Sequence, residues 1–277
     1  MMASLKRALH RLTGFVVAAM FVLPLYWAVV ASLRQPGLPP SPAIEWWPVA
    51  ARWRNYAEIF EMVPLALYIR NSLVVVLFAV PLTLFTASWA GFALSQLPRP
   101  AQRRWLMASV VVLLVPSMSA WMFRYRILDW LGLLDTLGAL IAPAAGASSP
   151  LFVLLYYWTC RRIPDEVYES ARLDGANAWT IWRQIVSPLA WPTTAGVLVL
   201  AFLLYWSDFT SPVLYIYRPD LYTLPVGVQL LNQMDRTNFP LLMAGSVVMM
   251  LPAVVLFALT QRFFLHELSI GRLLEGE

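Results

Sequence analysis

Lysine is nearly missing from this 277-residue chain, with Lys6 the only one. Cysteine is limited to Cys160, and histidine to His10 and His266. Each scarcity excludes a chemistry. A Walker A loop needs a lysine on the phosphates behind a glycine-rich turn, and Lys6 has no such turn beside it, so the chain is no P-loop ATPase. A single cysteine makes neither an intrachain disulfide nor a thiolate metal cluster. Cys160, at the end of an apolar run, reads as a small apolar filler. The two isolated histidines exclude an HExxH zinc site. Charge is scarce as well: 13% of residues carry one, against roughly a quarter in a soluble domain. No segment is both polar enough and long enough to form such a domain.

What the chain has in quantity is apolar length. It is 60% hydrophobic, with a mean hydropathy of +0.65. Six charge-free runs, 12–33, 71–98, 105–123, 136–160, 184–207 and 237–261, are each 19 to 28 residues long. About 20 residues at about 1.5 Å rise cross a hydrocarbon core of about 30 Å. The sequence therefore predicts an all-α membrane protein with six transmembrane helices. A central Arg, Lys or Asp would cost about 2.5–3.5 kcal/mol on insertion. The same lack of charge leaves a proton relay without a carrier. No internal repeat is visible, which counts against carriers built from inverted repeats.

Orientation follows from the basic residues at the span ends. With the N-terminus inside, twelve arginines and lysines fall on the cytoplasmic side and eight outside, and the outside ones are largely offset by Glu45, Glu58, Glu61, Asp129, Asp135, Asp220 and Asp235. Both termini are placed in the cytoplasm. The basic balance is thus a topology signal. No basic patch is interleaved with exposed aromatics, so nucleic acid is not an expected partner. Lys6, Arg7 and Arg11 precede the first run like the n-region of a signal peptide. That run is too long for an h-region, so it is read as an uncleaved span.

Prolines mark the spans. Pro24 is expected to kink the first, and Pro81, Pro116 and Pro252 lie inside later ones. Residues 34–66 form an extracytoplasmic segment whose first part, QPGLPPSPAIEWWP, cannot be regular helix. In its second part Tyr56, Ile59, Phe60 and Val63 have helical spacing and suit a helix on the membrane surface. The start of span four, residues 142–150, holds Pro143, Gly146 and Pro150. This is either a simple proline kink or a broken helix, and the latter is tolerated only against protein or a water-filled cavity.

The polar exception lies between spans four and five. Residues 164–188 read PDEVYESARLDGANAWTIWRQIVSP. They predict two short helices joined by a turn. Asp165 and Glu166 suit the first helix's N-terminus. Gly175 suits a left-handed cap and Asn177 the start of the second helix. Ala178, Ile181, Trp182 and Ile185 form that helix's stripe, and Pro188 is expected to end it. Ser170 and Ala171 make a small face flanked by Glu169 and Asp174. An amphipathic loop on the inner leaflet would want excess Lys and Arg. Residues 165–175 instead hold four acids against Arg172, which favours a docking surface for a protein.

The order Glu169-Ser170-Ala171, Gly175, Ile185 and Pro188 resembles the EAA motif of type I ABC importer permeases. Asn71 to Arg262 is similar to their transmembrane domain. Further details resemble the carbohydrate-uptake group and its smaller maltose-type permease: Pro24-Leu-Tyr-Trp, Ser32-Leu-Arg, Arg70-Asn71-Ser72-Leu73, Ile163-Pro164, Leu173-Asp174-Gly175-Ala176, Tyr222-Thr-Leu-Pro-Val-Gly227 and Gln261-Arg262-Phe-Phe264. Ser170 and Ser187 depart from that pattern. So do Trp206-Ser207-Asp208 and Glu267. The resemblance implies a permease subunit for a sugar, oligosaccharide or related polar solute in a bacterial-type inner membrane, not itself an enzyme. It implies a second homologous permease forming a heterodimer, two ABC ATPases that bind ATP and Mg, and an extracytoplasmic solute-binding protein. It assigns Glu169, Ser170, Ala171, Asp174 and Gly175 to coupling with the ATPase. The division expected is a tail 1–11, span 12–33, segment 34–66, transmembrane domain 67–262 with its coupling loop 164–188, and a cytoplasmic tail 263–277. Two other readings stay open: a permease for glycerol phosphate or a polyol, and a stand-alone secondary carrier.

One further group is singled out. Tyr205, Trp206, Ser207 and Asp208 end span five, and aromatic faces beside hydroxyl-pairing groups suit a sugar. The alternative is that Tyr205 and Trp206 anchor the helix in the interface. Asp208 follows a 24-residue uncharged run, and a carboxylate there prefers a water-filled cavity to lipid.

Overall fold

The computed structural model describes residues 2–37, 46–48, 50–234 and 238–274, with the backbone alone for 2–10, Ser117 and 262–274. The expectations resting on residues 38–45, on Asp235 and Arg236, and on the side chains of Lys6, Arg7, His10, His266 and Glu267 lie outside the described residues. The regular structure of the described residues is entirely helical. The chain divides into two compact units, Met1–Ala66 with Val226–Pro252 and Leu67–Pro225 with Ala253–Glu277.

In the first unit, α1 (Met2–Ser32) runs unbroken through Pro24. The predicted surface helix is α2 (Asn55–Met62). Its apolar stripe is split: Ile59 and Val63 are buried within the protein, and only Phe60 is exposed. Burial follows from Asn55, which the sequence reading passed over. Its Nδ2 donates to the carbonyls of Ser32 and Arg34, both at 2.7 Å, tying α2 to the end of α1. Ser32 Oγ and Tyr56 Oη meet at 2.6 Å beside it.

The second unit holds most of α3 and the loop between spans four and five. Helix α3 (Leu65–Ser95) has 31 residues, about 46 Å at the helical rise. It is followed by α4 (Arg99–Leu114) and α5 (Ser117–Trp130). The expected single span at 105–123 is bent by 102° here. Pro116 is the cause: the residue before a proline is pushed to extended backbone, and Val115 has φ −67°, ψ 127°. Next come α6 (Leu137–Ile141) and a 3-10 turn, Ala142–Gly146. Ala147 and Ser148 then take left-handed φ of 63° and 60° before α7 (Pro150–Arg162). Span four is therefore a broken helix, not a kinked one.

Helix α8 (Asp165–Leu173) and α9 (Ala178–Ile181) follow, then a π-turn at Trp182–Val186 and α10 (Ser187–Leu189). Pro188 does not end this stretch as expected. The widened turn bonds Ser187 N to Trp182 O, just ahead of the proline whose ring and missing N–H exclude an ordinary bond to Gln184. The break comes at Ala190, where the chain bends by 81° into α11 (Trp191–Trp206), with Pro192 in its first turn. Helices α12 (Thr210–Tyr215), α13 (Leu224–Met234) and α14 (Phe239–Leu274) complete the order. The backbone of α14 continues through residues 263–274 of the expected tail.

Among the described residues, four helical stretches are long and apolar enough to cross a membrane: Arg11–Ser32, Leu65–Ser95, Leu137–Arg162 and Phe239–Gln261. Counting each bent pair as one span gives six.

Helices α3 and α7 touch backbone to backbone. A Cβ on Gly91 would lie 2.6 Å from Tyr156 Cβ and 2.8 Å from both Tyr157 N and Val153 O. Ala87, Gly91 and Ser95 form the buried ridge that permits this. Their spacing of four is the small-xxx-small pattern of membrane helix pairs, a signal readable in the sequence.

Candidate functional site

The 164–188 loop forms as two helices and a turn. Pro164 is the N-cap residue of α8, and Asp165 and Glu166 occupy its first turn. Gly175 has φ +83°. Its N–H reaches Arg172 O at 3.0 Å, and Ala176 N reaches Ala171 O at 2.9 Å. This pair of bonds is a Schellman cap, and it needs the left-handed residue that glycine supplies. Asn177 Oδ1 then accepts from Thr180 N at 2.9 Å and caps α9.

The underside of the loop is fixed. Phe92 of α3, Cys160 and Ile163 by the end of α7, Tyr168 of α8, Ile181 and Val186 form one buried cluster. Ala171, Ala176, Trp182 and Ile185 pack against it, while Ala178 of the expected stripe stays exposed. Cys160 is fully buried, as its filler reading requires. Tyr168 is 3% exposed and its hydroxyl donates to Cys160 O at 3.0 Å. Burial, then Cys160 and Asp165, push its phenol well above the ordinary range. Arg172 donates to Gln96 Oε1 at the end of α3, and Arg161 lies 3.6 Å from Asp165. Gln102, unremarked in the sequence, holds the α3–α4 turn: its Nε2 donates to Ser95 O and Leu97 O at 2.9 and 2.7 Å, and its Oε1 accepts from Tyr157.

The outer face of the loop is bare. Glu169, Ser170, Asp174 and Gly175 are exposed, and Ala171 is partly covered. No atom lies within 4 Å of a Cβ placed on Gly175. Leu173 is 89% exposed between these charges. Burying a leucine fully is worth about 1.5–3 kcal/mol, so this side chain has an unused contribution to make. The sequence reading missed it because Leu173 falls off the helical stripe.

A second group sits at the far end of α11. Tyr205 Oη meets Ser148 Oγ at 2.6 Å, and Ser148 Oγ meets Thr83 Oγ1 at 2.5 Å. Thr86 Oγ1 also donates to Ala144 O at 2.7 Å, so two threonines of α3 grip the break in span four. A cavity of about 80 Å³ is lined by Arg124, Pro143, Ser148, Tyr205, Asp208 and Ser211. Asp208 also has a structural task, since its Oδ1 accepts from Ser211 N at 3.0 Å at the start of α12. Trp206 is placed elsewhere. It is 2% exposed and stacked on Phe202 at 5.5 Å and 15°, so it is neither a belt residue at the surface nor a free face for a sugar. Arg124 and Ser148 join Tyr205 and Asp208 only through the bend at Pro116 and the break at 142–149, which spacing alone does not reveal.

Two separated motifs of the sequence meet near this end. Asn71 Nδ2 donates to the carbonyls of Asp220 and Tyr222 at 2.8 and 3.0 Å, and Ser72 Oγ accepts from Leu224 N at 2.8 Å. Asp135 Oδ1 accepts from the N–H groups of Tyr217 and Arg218. The hydrogen bond from Arg218 holds the Asp220 carboxyl below its ordinary range. No group of three or more His, Cys, Asp and Glu able to hold a metal occurs among the described residues.

Among the described residues, an all-helical fold with several membrane-length helices and a bare, capped loop is that of a polytopic membrane protein. Residues 1–266 match the family "Binding-protein-dependent transport system inner membrane component". The chain belongs to this family: it is a multi-pass inner-membrane permease component. It is 27% identical over 261 residues to the melibiose/raffinose/stachyose import permease protein MelC of Bacillus subtilis (strain 168), covering 94% of each chain. It is 29% identical over 201 residues to the arabinooligosaccharides transport system permease protein AraQ of Halalkalibacterium halodurans, covering 73% of this chain and 71% of the relative. The fold is that of a type I ABC importer permease. It matches a chain in the crystal structure of a bacterial ABC transporter involved in import of the acidic polysaccharide alginate, with a TM-score of 0.75, 17% identity, and 94% and 97% of the two chains covered.

Proposed function

We propose that this chain forms half of the translocation pathway of an ABC importer for a sugar or oligosaccharide, and that a separate ATPase drives it through the 164–188 loop. The carrying observation is the contrast across that loop, with a buried, hydrogen-bonded underside and an exposed face of Glu169, Ser170, Leu173, Asp174 and Gly175. Two ATPase subunits binding ATP and Mg, a second homologous permease and an extracytoplasmic binding protein complete the assembly, with both termini cytoplasmic. The family's name supports the binding protein, and the names of MelC and AraQ support the solute class. The six charge-free runs of the sequence argue against a secondary carrier.

Tyr205 and Asp208 are proposed on the solute pathway together with Arg124 and Ser148. Their cavity is lined by a guanidinium donor, a carboxylate acceptor and the three hydroxyl residues Ser148, Tyr205 and Ser211, the set that pairs with a neutral polyhydroxyl group. A polyol is the second reading, since it carries the same groups. The test of the loop is Glu169→Lys in membranes expressing the whole importer. ATPase copurification should fall while insertion is retained. Wild-type copurification and wild-type uptake would refute the assignment.

A further inference from the structure

We infer that Trp182 is the positioning residue through which movement of the loop reaches α3. This rests on the coupling reading of the loop and names the path that reading leaves open. Six aromatic rings join the two elements. Trp182 packs edge-on against Trp89 at 5.4 Å and 82°, and against Phe85 at 5.6 Å and 87°. Trp179 lies 4.9 Å from Trp182 and 5.6 Å from Trp89. Trp89 in turn meets Phe92, which is packed on Tyr168 of α8. Edge-to-face pairs of this kind are directional, worth about 0.5–1.5 kcal/mol each beyond their burial, and resist sliding.

Trp182 also opens the π-turn, the one widened turn among the described residues. Such turns store an alternative hydrogen-bond register and gather at functional positions. Two facts give the ring somewhere else to go. Its Nε1 is buried with no hydrogen-bond partner within the chain. It also borders a cavity of about 170 Å³ whose lining includes the hydroxyls of Ser88, Tyr156, Ser187 and Thr194. An unpaired buried donor beside hydroxyl acceptors is poised for a second position, and a relay needs an element with two positions. The loop is tethered to α3 at its other end by Arg172 and Gln96. A shift of α8 and α9 therefore pushes on α3 through the ring cluster.

The experiment uses the assembled permease–ATPase complex in proteoliposomes with Leu84→Cys in a Cys160→Ser background. Leu84 lies on α3 and borders the same cavity. Maleimide labelling is measured with and without ATP plus vanadate. The parent should change its labelling rate at least threefold. Trp182→Ala should abolish that change while the ATPase still copurifies, and Trp182→Phe should restore most of it. If Trp182→Ala does not insert, Trp182→Leu keeps the bulk without the ring and has the same expected result. A retained labelling change in the ringless variant overturns the relay, as does a parent in which Leu84→Cys never responds. Glu169→Lys separates the two claims. If it leaves copurification intact, the loop assignment itself fails. If it disrupts copurification while Trp182→Ala stays responsive, only the relay fails.

Discussion

Gly175 offers a test in which conformation and contact separate. Its φ of +83° costs a residue with a Cβ about 1–2 kcal/mol. Asparagine tolerates this region better, and a β-branched residue tolerates it worse. The chain itself leaves open space around the position. Substitution therefore meets no internal collision, and the loop's own penalty has an upper limit. If the free loop relaxes and must be driven back into the Schellman cap on docking, the whole penalty appears in ATPase affinity. At about 1.4 kcal/mol per tenfold, Gly175→Ala then weakens docking by about five- to thirtyfold at most, Gly175→Asn by less, and Gly175→Val by more.

The assay is binding of the purified ATPase to the permease in nanodiscs, with thermal unfolding of the permease alone as the control for folding. Conformation predicts the ranking Asn, Ala, Val in rising severity with unfolding nearly unchanged. A Gly175→Asn variant that binds far more weakly than Gly175→Ala would place the partner's surface directly over this position, because only size distinguishes them in that direction. Wild-type affinity for Gly175→Val would refute the reasoning altogether, since neither the turn nor its neighbourhood would then be gripped.

Gly91→Ala should lower the thermal stability of the solubilised chain by about 1–3 kcal/mol or prevent packing, because three atoms stand within 3.0 Å of the added carbon and two are backbone; Gly146→Ala, with nothing within 4 Å, should be neutral in the same melt. Tyr168→Phe should loosen the loop by about 1 kcal/mol through the lost bond to Cys160 O, read as faster proteolysis between α8 and α9. The folded phenol's pKa is raised, so its contribution is complete below the ordinary value of about 10 and is lost as pH rises beyond the folded value. Wild-type loops should therefore become protease-sensitive only in strong alkali, and Tyr168→Phe should lack that transition. In a Cys160→Ser background, Arg126→Cys should react with an impermeant maleimide from outside and Ser170→Cys only from inside; the reverse pattern would invert the topology.

Much of the loop was legible because its determinants are local. A glycine after an acid-started helix, an asparagine two residues later and a proline at the start of the loop specify caps that depend on neighbours in sequence. The interruption at 142–150 was marked by Pro143, Gly146 and Pro150, but kink and break stayed open in the sequence; the left-handed φ of Ala147 and Ser148 makes it a break. Where the reading failed, a local signal was outweighed or misplaced. Pro188 looked like a stop, yet a π-turn absorbs it and Pro192 does the stopping. The run 105–123 falls in a bent pair that still counts toward six spans; hydropathy carries no information about its change of direction, and Pro116 does.

The make-up of the group around Tyr205 was only half legible, for a deeper reason. Tyr205 and Trp206 are neighbours in a helix, so their side chains point about 100° apart. Grouping them as one sugar-binding face ignored that rotation. The structure separates them accordingly, Tyr205 joining Ser148 and Thr83 while Trp206 turns to Phe202. What unites Tyr205 with Arg124 and Ser148 is the geometry of two chain breaks, each made by prolines that the sequence shows but whose angles it does not. Polar groups on uncharged spans are costly unless paired or hydrated. Breaks that bring them together therefore place Arg124 and Asp208 on one small cavity. The same principle applies at the other end, where a π-turn and a bend at Ala190 place the Trp182 ring against Trp89 and beside a hydroxyl-lined cavity. Both sites sit at interruptions of helix, and the interruptions are where a chain of rigid spans can change shape.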